Sequence, residues 1–262
     1  MAQSPRIALV LGAGSARGLA HIGVLQVLTE NRIPFDFIVG SSMGALVGGL
    51  YACGTDLVML GKMIDSMDLR VFFDVHLPRL GFIAGKKMDS LLTLLTKKKS
   101  FEETRLPIQM IATDLLTGDS VILESGPVAE AIRASISIPG VFYPVKKEDM
   151  ILVDGAVSNR LPIEVARSRG ADIIIAVDVM FGGGKEINIK NTLDVIITSL
   201  DIMQRSQFDQ VKELTDVLIQ PRVGCFSPRA FDKAAQIIDL GRQAAEENLE
   251  QIISKTIGLT RP

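Results

Sequence analysis

Phe37-Ile-Val-Gly-Ser-Ser-Met-Gly-Ala-Leu-Val-Gly-Gly-Leu50 is the stretch on which the reading of this chain turns. An apolar run, Phe37–Val39, enters it, and a small-residue helical pattern, Ala45–Tyr51, leaves it. Between them Gly40-Ser-Ser-Met-Gly44 fits G-x-S-x-G in the strand–turn–helix setting that a nucleophile elbow requires. Side chains at positions 40 and 44 would collide with the strand and helix that flank the serine. Ser42 Oγ would then stand at a helix N-terminus, where the dipole and free N–H groups favour negative charge. The same letters also suit a glycine-rich turn without chemistry, so the rest of the chain has to decide.

The 262 residues suffice for one large α/β domain, and a single domain over 1–262 is expected. Hydrophobic residues make up 47% and charged residues 22%, the balance of a well-buried globular chain and not a disordered one. A net charge of −2 argues against a nucleic-acid binder driven by a basic surface. Two cysteines, Cys53 and Cys225, cannot build a disulfide framework or a zinc site alone. The apolar N-terminal run is short and leads into glycines and Arg17, so a first buried strand explains it better than a signal peptide. Phe37–Gly54 carries no charge, but it is short for a membrane span and its glycines and serines make it poorly hydrophobic.

In chain order, Ile7–Leu11 reads as a buried strand, Gly12–Gly18 as a glycine-rich loop and His21–Asn31 as a helix. Phe35–Val39 is the next strand, followed by the elbow and its helix. This β–loop–α–β–α alternation predicts a mainly parallel sheet between helical layers. Helices are further expected over Asp56–Asp68, Met88–Thr96, Gly126–Ala134, Pro162–Ser168, Leu193–Leu214 and Ala230–Ile257. Strands are expected over Ile108–Thr113, Ser120–Glu124, Met150–Val153, Ile173–Val177 and Val217–Ile219. Leu69–Lys87 mixes apolar and basic residues, and its Leu77–Ile83 portion reads either as a lid or bilayer-touching surface or as a buried connector.

Gly12-x-Gly14-x-x-x-Gly18 after a first strand superficially matches a dinucleotide fingerprint. That site wants an acidic residue at the end of the second strand. Here that position holds the elbow, and Asp36 lies before the strand, at its wrong end. The alternative is an oxyanion hole: backbone N–H groups after the first strand would face the elbow on its neighbour.

A serine hydroxyl needs a base near pH 7. The chain has two histidines, His21 and His76, and no histidine follows His76, which leaves the usual Ser–acid–His order little room. His21 suits packing or helix capping. Carboxylates are the other option. Asp114, Asp154 and Asp178 each end a predicted strand, and Gly155 after Asp154 allows close backbone approach.

Gly14-Ser-Ala-Arg-Gly18, Gly40-Ser-Ser-Met-Gly44 and Asp154-Gly-Ala156, in that order, resemble the motif set of patatin-like phospholipases. The chain is most similar to bacterial single-domain members related to the catalytic domain of neuropathy target esterase. Arg17–Leu25, Ala112-Thr-Asp114, Ser137-Ile-Pro-Gly-Val-Phe142 and Leu240–Glu246 extend the resemblance over nearly the whole chain. It implies a three-layer α/β/α fold and a serine acyl hydrolase acting on phospholipid or lysophospholipid esters. It implies a Ser–Asp dyad of Ser42 and Asp154, with Gly155 and Ala156 completing the acid motif. Gly12, Gly14, Ser15, Arg17 and Gly18 would form the oxyanion loop, with Gly14 and Ser15 offering N–H groups. The family loop is commonly a run of glycines, whereas Ala13 and Ser15 stand here. A serine held at φ > 0 costs about 1 kcal/mol or more. No cofactor or metal is expected. The expected location is the cytoplasm, with peripheral contact at the inner membrane surface. The competing readings are a regulatory or lipid-binding protein of the same fold and a nucleotide-binding oxidoreductase.

Overall fold

The structure, a computed structural model, describes residues 5–66, 85–181, 189 and 192–256. His76, the Leu77–Ile83 surface and residues 182–186 lie outside the described residues.

The centre is an eight-stranded sheet. Its parallel part runs in the order β8 (Val217–Ile219), β7 (Ile173–Val177), β1 (Ile7–Leu11), β2 (Phe37–Ser41) and β3 (Ile108–Asp114). Three further strands join by antiparallel pairing: β4 (Ser120–Leu123) and β6 (Met150–Asp154) on β3, and β5 (Val145–Lys147) on β6. The parallel strands are near-continuous apolar runs because helices cover both faces. Successive side chains point to opposite sides. Thus Ile7, Leu9 and Leu11 enter one core, and Ala8 and Val10 enter the other.

On the first face lie α1 (Ala20–Glu30), α2 (Met43–Ala52), α3 (Leu57–Ser66), α5 (Val128–Ser135) and α8 (Ala234–Glu247), contributing Leu25, Ala45, Leu57, Ile132 and Ile237. On the second lie α6 (Ile163–Ser168) and α7 (Thr192–Val211), contributing Ile163, Val165, Phe208 and Val211. Each fully buried aliphatic side chain contributes about 1.5–3 kcal/mol. Helices α4 (Lys86–Leu95) and α9 (Leu249–Thr256) complete the described α-helices.

Two expectations are corrected. The closing helix is broken at Asn248, whose φ of −99° and ψ of 0° end α8 before α9 begins. Strand β5 was not expected; it is short, carries two lysines and is incompletely buried, so it has no apolar run to betray it. The uncharged Phe37–Gly54 stretch is β2, a turn and the ten-residue α2, not a span.

The edges of β3 position the site. Met110 and Ile111 pair with both β2 and β4, so those two strands take opposite edges of β3. Ala112 and Thr113 pair with both β4 and β6, so β6 shares the edge of β2. Strand β2 runs up that edge to Ser41, opposite Ile111. Strand β6 runs down it to Asp154, opposite Ala112. The two strands therefore meet end to end, carboxyl end to carboxyl end. Asp154 does close a strand at the carboxyl edge of the parallel sheet, but on an antiparallel strand that arrives from beyond that edge.

Candidate active site

Ser42 is the hinge between β2 and α2. Its φ of 54° and ψ of −120° lie where L-residues are strained, by about 1–3 kcal/mol. Close packing holds it there. A Cβ on Gly40 would come within 2.7 Å of the Ala45 backbone, so the helix folds directly back on the strand. A Cβ on Gly44 would sit 2.0 Å from Leu11 O. The collision at Gly44 is thus with the neighbouring strand β1, not with the strand or helix that flank the serine. The Ser42 N–H is tied down as well: it donates to Ser135 Oγ at 2.9 Å, and Ser135 Oγ donates to Ile111 O at 2.6 Å.

Asp154 is held by two hydrogen bonds to main chain. Its N–H donates to Ser137 O at 2.9 Å, and its Oδ1 accepts from Ala156 N at 2.8 Å. Gly155 must be glycine, because a Cβ there would lie 2.3 Å from Ile111 O. The free carboxylate oxygen, Oδ2, accepts from Ser42 Oγ at 2.7 Å. Both residues are nearly closed off, Ser42 5% and Asp154 3% exposed. Burial pushes the Asp154 carboxyl up to about 6, against the opposing pulls of the Ser42 hydroxyl, the Ala156 N–H and the Arg160 charge. At neutral pH this places an ionised carboxylate where it can take the serine proton.

The pair opens into a cavity lined by Gly14, Ser15, Ile138, Ala156, Arg160, Leu200 and Asp201, among others. Gly14 and Ser15 bring the glycine loop to it. The other loop N–H groups are spent: Gly12 donates to Val177 O, Ala13 to Arg160 O, Ala16 to Pro228 O and Arg17 to Gly14 O. Among the described residues, the Gly14 and Ser15 N–H groups have no protein acceptor. Ser15 does take φ 50°, the strained value foreseen for a residue replacing glycine. A Cβ on Gly14 would strike the Val179 side chain at 2.2 Å, and one on Gly18 the Met43 side chain at 2.4 Å. These glycines let the loop lie against β7 and the elbow.

Arg17 does not reach the cavity. Its buried guanidinium turns away, with Nε donating to Phe226 O at 2.7 Å and Nη2 to Gly224 O at 3.4 Å. It pins the glycine loop to the 223–228 segment. His21 is also a support. It is fully buried, and burial lowers its pKa to about 4. A carbonyl only accepts, so its Nε2–H donates to Gly12 O at 2.7 Å. Asp114 and Asp178 serve as turn residues: Asp114 accepts from Leu116 N and Ile151 N, and Asp178 from Met180 N and Phe181 N. Asp36 lies at the start of β2, where it accepts from Ile7 N. Among the described residues no cluster of three or more His, Cys, Asp or Glu side chains is arranged to hold a metal ion.

Sequence reasoning missed Ser135, Arg160 and Asp201. Ser135 lies one residue past the expected Gly126–Ala134 helix and carries no spacing signal. Arg160 follows Asp154 by six residues, and only its neighbours in space give it meaning.

The chain is 38% identical over 178 residues to an uncharacterized NTE family protein of Mycobacterium tuberculosis, covering 67% of this chain and 49% of that protein. It is 33% identical over 198 residues to mouse (Mus musculus) patatin-like phospholipase domain-containing protein 7, covering 72% of this chain and 14% of that protein. The chain thus spans about half the length of the first relative and a small part of the second. In fold it resembles the crystal structure of VipD from Legionella pneumophila, with a TM-score of 0.59 and 12% identity over 95% of this chain and 67% of that one. ExoU, in the ExoU–SpcU complex of Pseudomonas aeruginosa, gives a TM-score of 0.54 and 15% identity over 97% of this chain and 53% of that one. The sequence model of the family described as patatin-like phospholipase matches residues 9–167, which include the glycine loop, the elbow and Asp154, and the chain belongs to that family.

Proposed function

We propose that this protein is a carboxylic ester hydrolase acting on phospholipid or lysophospholipid acyl esters, with Ser42 as nucleophile and Asp154 as base. The observation that carries the reading is the 2.7 Å hydrogen bond from Ser42 Oγ to Asp154 Oδ2, made on a strained elbow at the floor of a cavity. Membership of a family described as phospholipases supports a lipid ester as the substrate class.

Asp154 accepts the Ser42 proton as Oγ attacks the ester carbonyl. The oxygen that becomes negative is met by the free N–H groups of Gly14 and Ser15. Met43, the first residue of α2, adds an N–H without a partner inside its helix. Collapse expels the alcohol, which takes the proton from Asp154 and leaves an acyl group on Ser42. Asp154 then deprotonates a water that attacks the acyl-enzyme and releases the fatty acid.

The test is hydrolysis of a short-chain nitrophenyl ester and of a lysophospholipid by wild type, Ser42→Ala and Asp154→Asn. Each substitution should lower kcat by at least about 10³-fold. Labelling by a fluorophosphonate probe should occur at Ser42. Equal rates in wild type and Ser42→Ala, or labelling of another serine, would refute the assignment.

A further inference from the structure

Arg160 lines the same cavity as Ser42 and Asp154 and is 8% exposed. Its guanidinium carries five N–H donors in a rigid fork. Among the described residues it has one acceptor, Asp201 on α7, which takes a hydrogen bond from Nη2 at 2.5 Å. Asp201 is itself 2% exposed, so the fork is held in place. Arg160 Nε is buried without any hydrogen-bond partner. A buried donor left unmade is costly, and folded proteins keep few of them. A residue that only clamped α7 over the cavity would need Nη2 alone. Arg160 lines a cavity whose other described lining residues are apolar, small, hydroxylic or acidic, and it is the cation among them.

We propose that Arg160 is a substrate-binding residue that receives the phosphate of a phosphate-bearing lipid ester whose carbonyl sits at Ser42. The inference rests on the ester-hydrolase reading of Ser42. The guanidinium fork matches phosphate oxygens, each charge-assisted bond being stronger than a neutral one. A glyceride without phosphate offers these donors no anion. Arg160 thereby favours phosphate-bearing esters over neutral glycerides.

Two soluble, matched ligands test this: 1-hexanoylglycerol and 1-hexanoylglycerol 3-phosphate. Binding is measured by calorimetry on Ser42→Ala protein, where no turnover intrudes. The phosphate ester should bind about tenfold tighter or more. Arg160→Gln on that background should bring it down to the neutral ester while the neutral ester changes less than about twofold. That variant takes from buried Asp201 its ion pair with Arg160, so Arg160→Gln/Asp201→Asn and Arg160→Lys accompany it. The double variant should lose the preference and the lysine variant should keep part of it. Equal affinities in the parent protein, or a parallel loss for both esters in the variants, would overturn the proposal. Turnover by wild type is read separately. Selective binding without turnover counts against the hydrolase reading and leaves the phosphate site standing; turnover without selectivity counts against Arg160.

Discussion

Ser42 Oγ and Asp154 Oδ2 lie 2.7 Å apart although the residues are separated by 112 positions in the chain. They meet because β2 and β6 share one edge of β3 and end facing each other, opposite Ile111 and Ala112. Each residue also opens the next element: Ser42 precedes α2, and Asp154 caps the turn at Gly155–Val157 by accepting from Ala156 N. The pair is therefore fixed by backbone on both sides before any substrate arrives.

The first prediction concerns pH. A base must be ionised to take a proton, and burial raises Asp154 to about 6. The rate constant kcat/KM for a short-chain ester should fall about tenfold per pH unit below 6 and level off above about pH 7. A profile flat down to pH 4.5 would remove Asp154 as the base.

The second concerns stability. A carboxyl raised from 3.8 to about 6 on folding binds its proton more tightly in the folded state. Its contribution is fully present below pH 3.8 and is lost as pH rises through 6. Asp154→Asn, which cannot ionise, should therefore be more stable than wild type by about 3 kcal/mol at pH 8, and the gain should vanish near pH 4. His21 acts with the opposite sign. Its folded pKa is lowered to about 4, so its contribution is present above pH 6.5 and is lost as pH falls towards 4. In Asp154→Asn the Asp154 offset to that loss is gone, and urea melts should show stability dropping more steeply on acidification than in wild type.

The third concerns Ser135. Its Oγ accepts the Ser42 N–H and donates to Ile111 O, so it bridges the strained elbow to β3. Ser135→Ala leaves a buried N–H without a partner, at about 1–3 kcal/mol. Thermal unfolding should show that loss, and kcat should fall about tenfold with KM little changed, because the nucleophile loosens while the cavity walls stay. A drop confined to KM would assign Ser135 to the substrate wall.

The fourth tests the elbow packing. Gly44→Ala brings a methyl to 2.0 Å from Leu11 O, against main chain that cannot rotate away. The expected cost is about 1–3 kcal/mol or more, with loss of fluorophosphonate labelling. Wild-type stability in this variant would mean that α2 does not pack on β1 as described.

Much of the architecture was legible in the residues. Strands β1, β7 and β8 have the bounds that their apolar runs predict, since strands buried on both faces carry an unbroken signal. The scarcity of histidine, with the order of the three motifs, pointed away from a His-based triad before any contact was known. Strand β5 escaped because it is short, lysine-bearing and incompletely buried. The break at Asn248 escaped because the helical pattern continues across it; the Asn248 side chain donates to Ala244 O and helps to close α8.

What the sequence by itself determined is local: the buried strands, the tight Gly40–Gly44 turn, the glycine loop after β1 and the carboxylate at Asp154. These follow from steric limits and burial periods among near neighbours in the chain. The tertiary structure alone decided that β6 runs antiparallel and ends against β2, that Arg17 turns away from the cavity, that Ser135 grips the elbow and that Arg160 keeps spare donors beside Ser42. Each of those depends on which strand edge or side chain lies opposite, and that is settled by contacts between segments far apart in sequence.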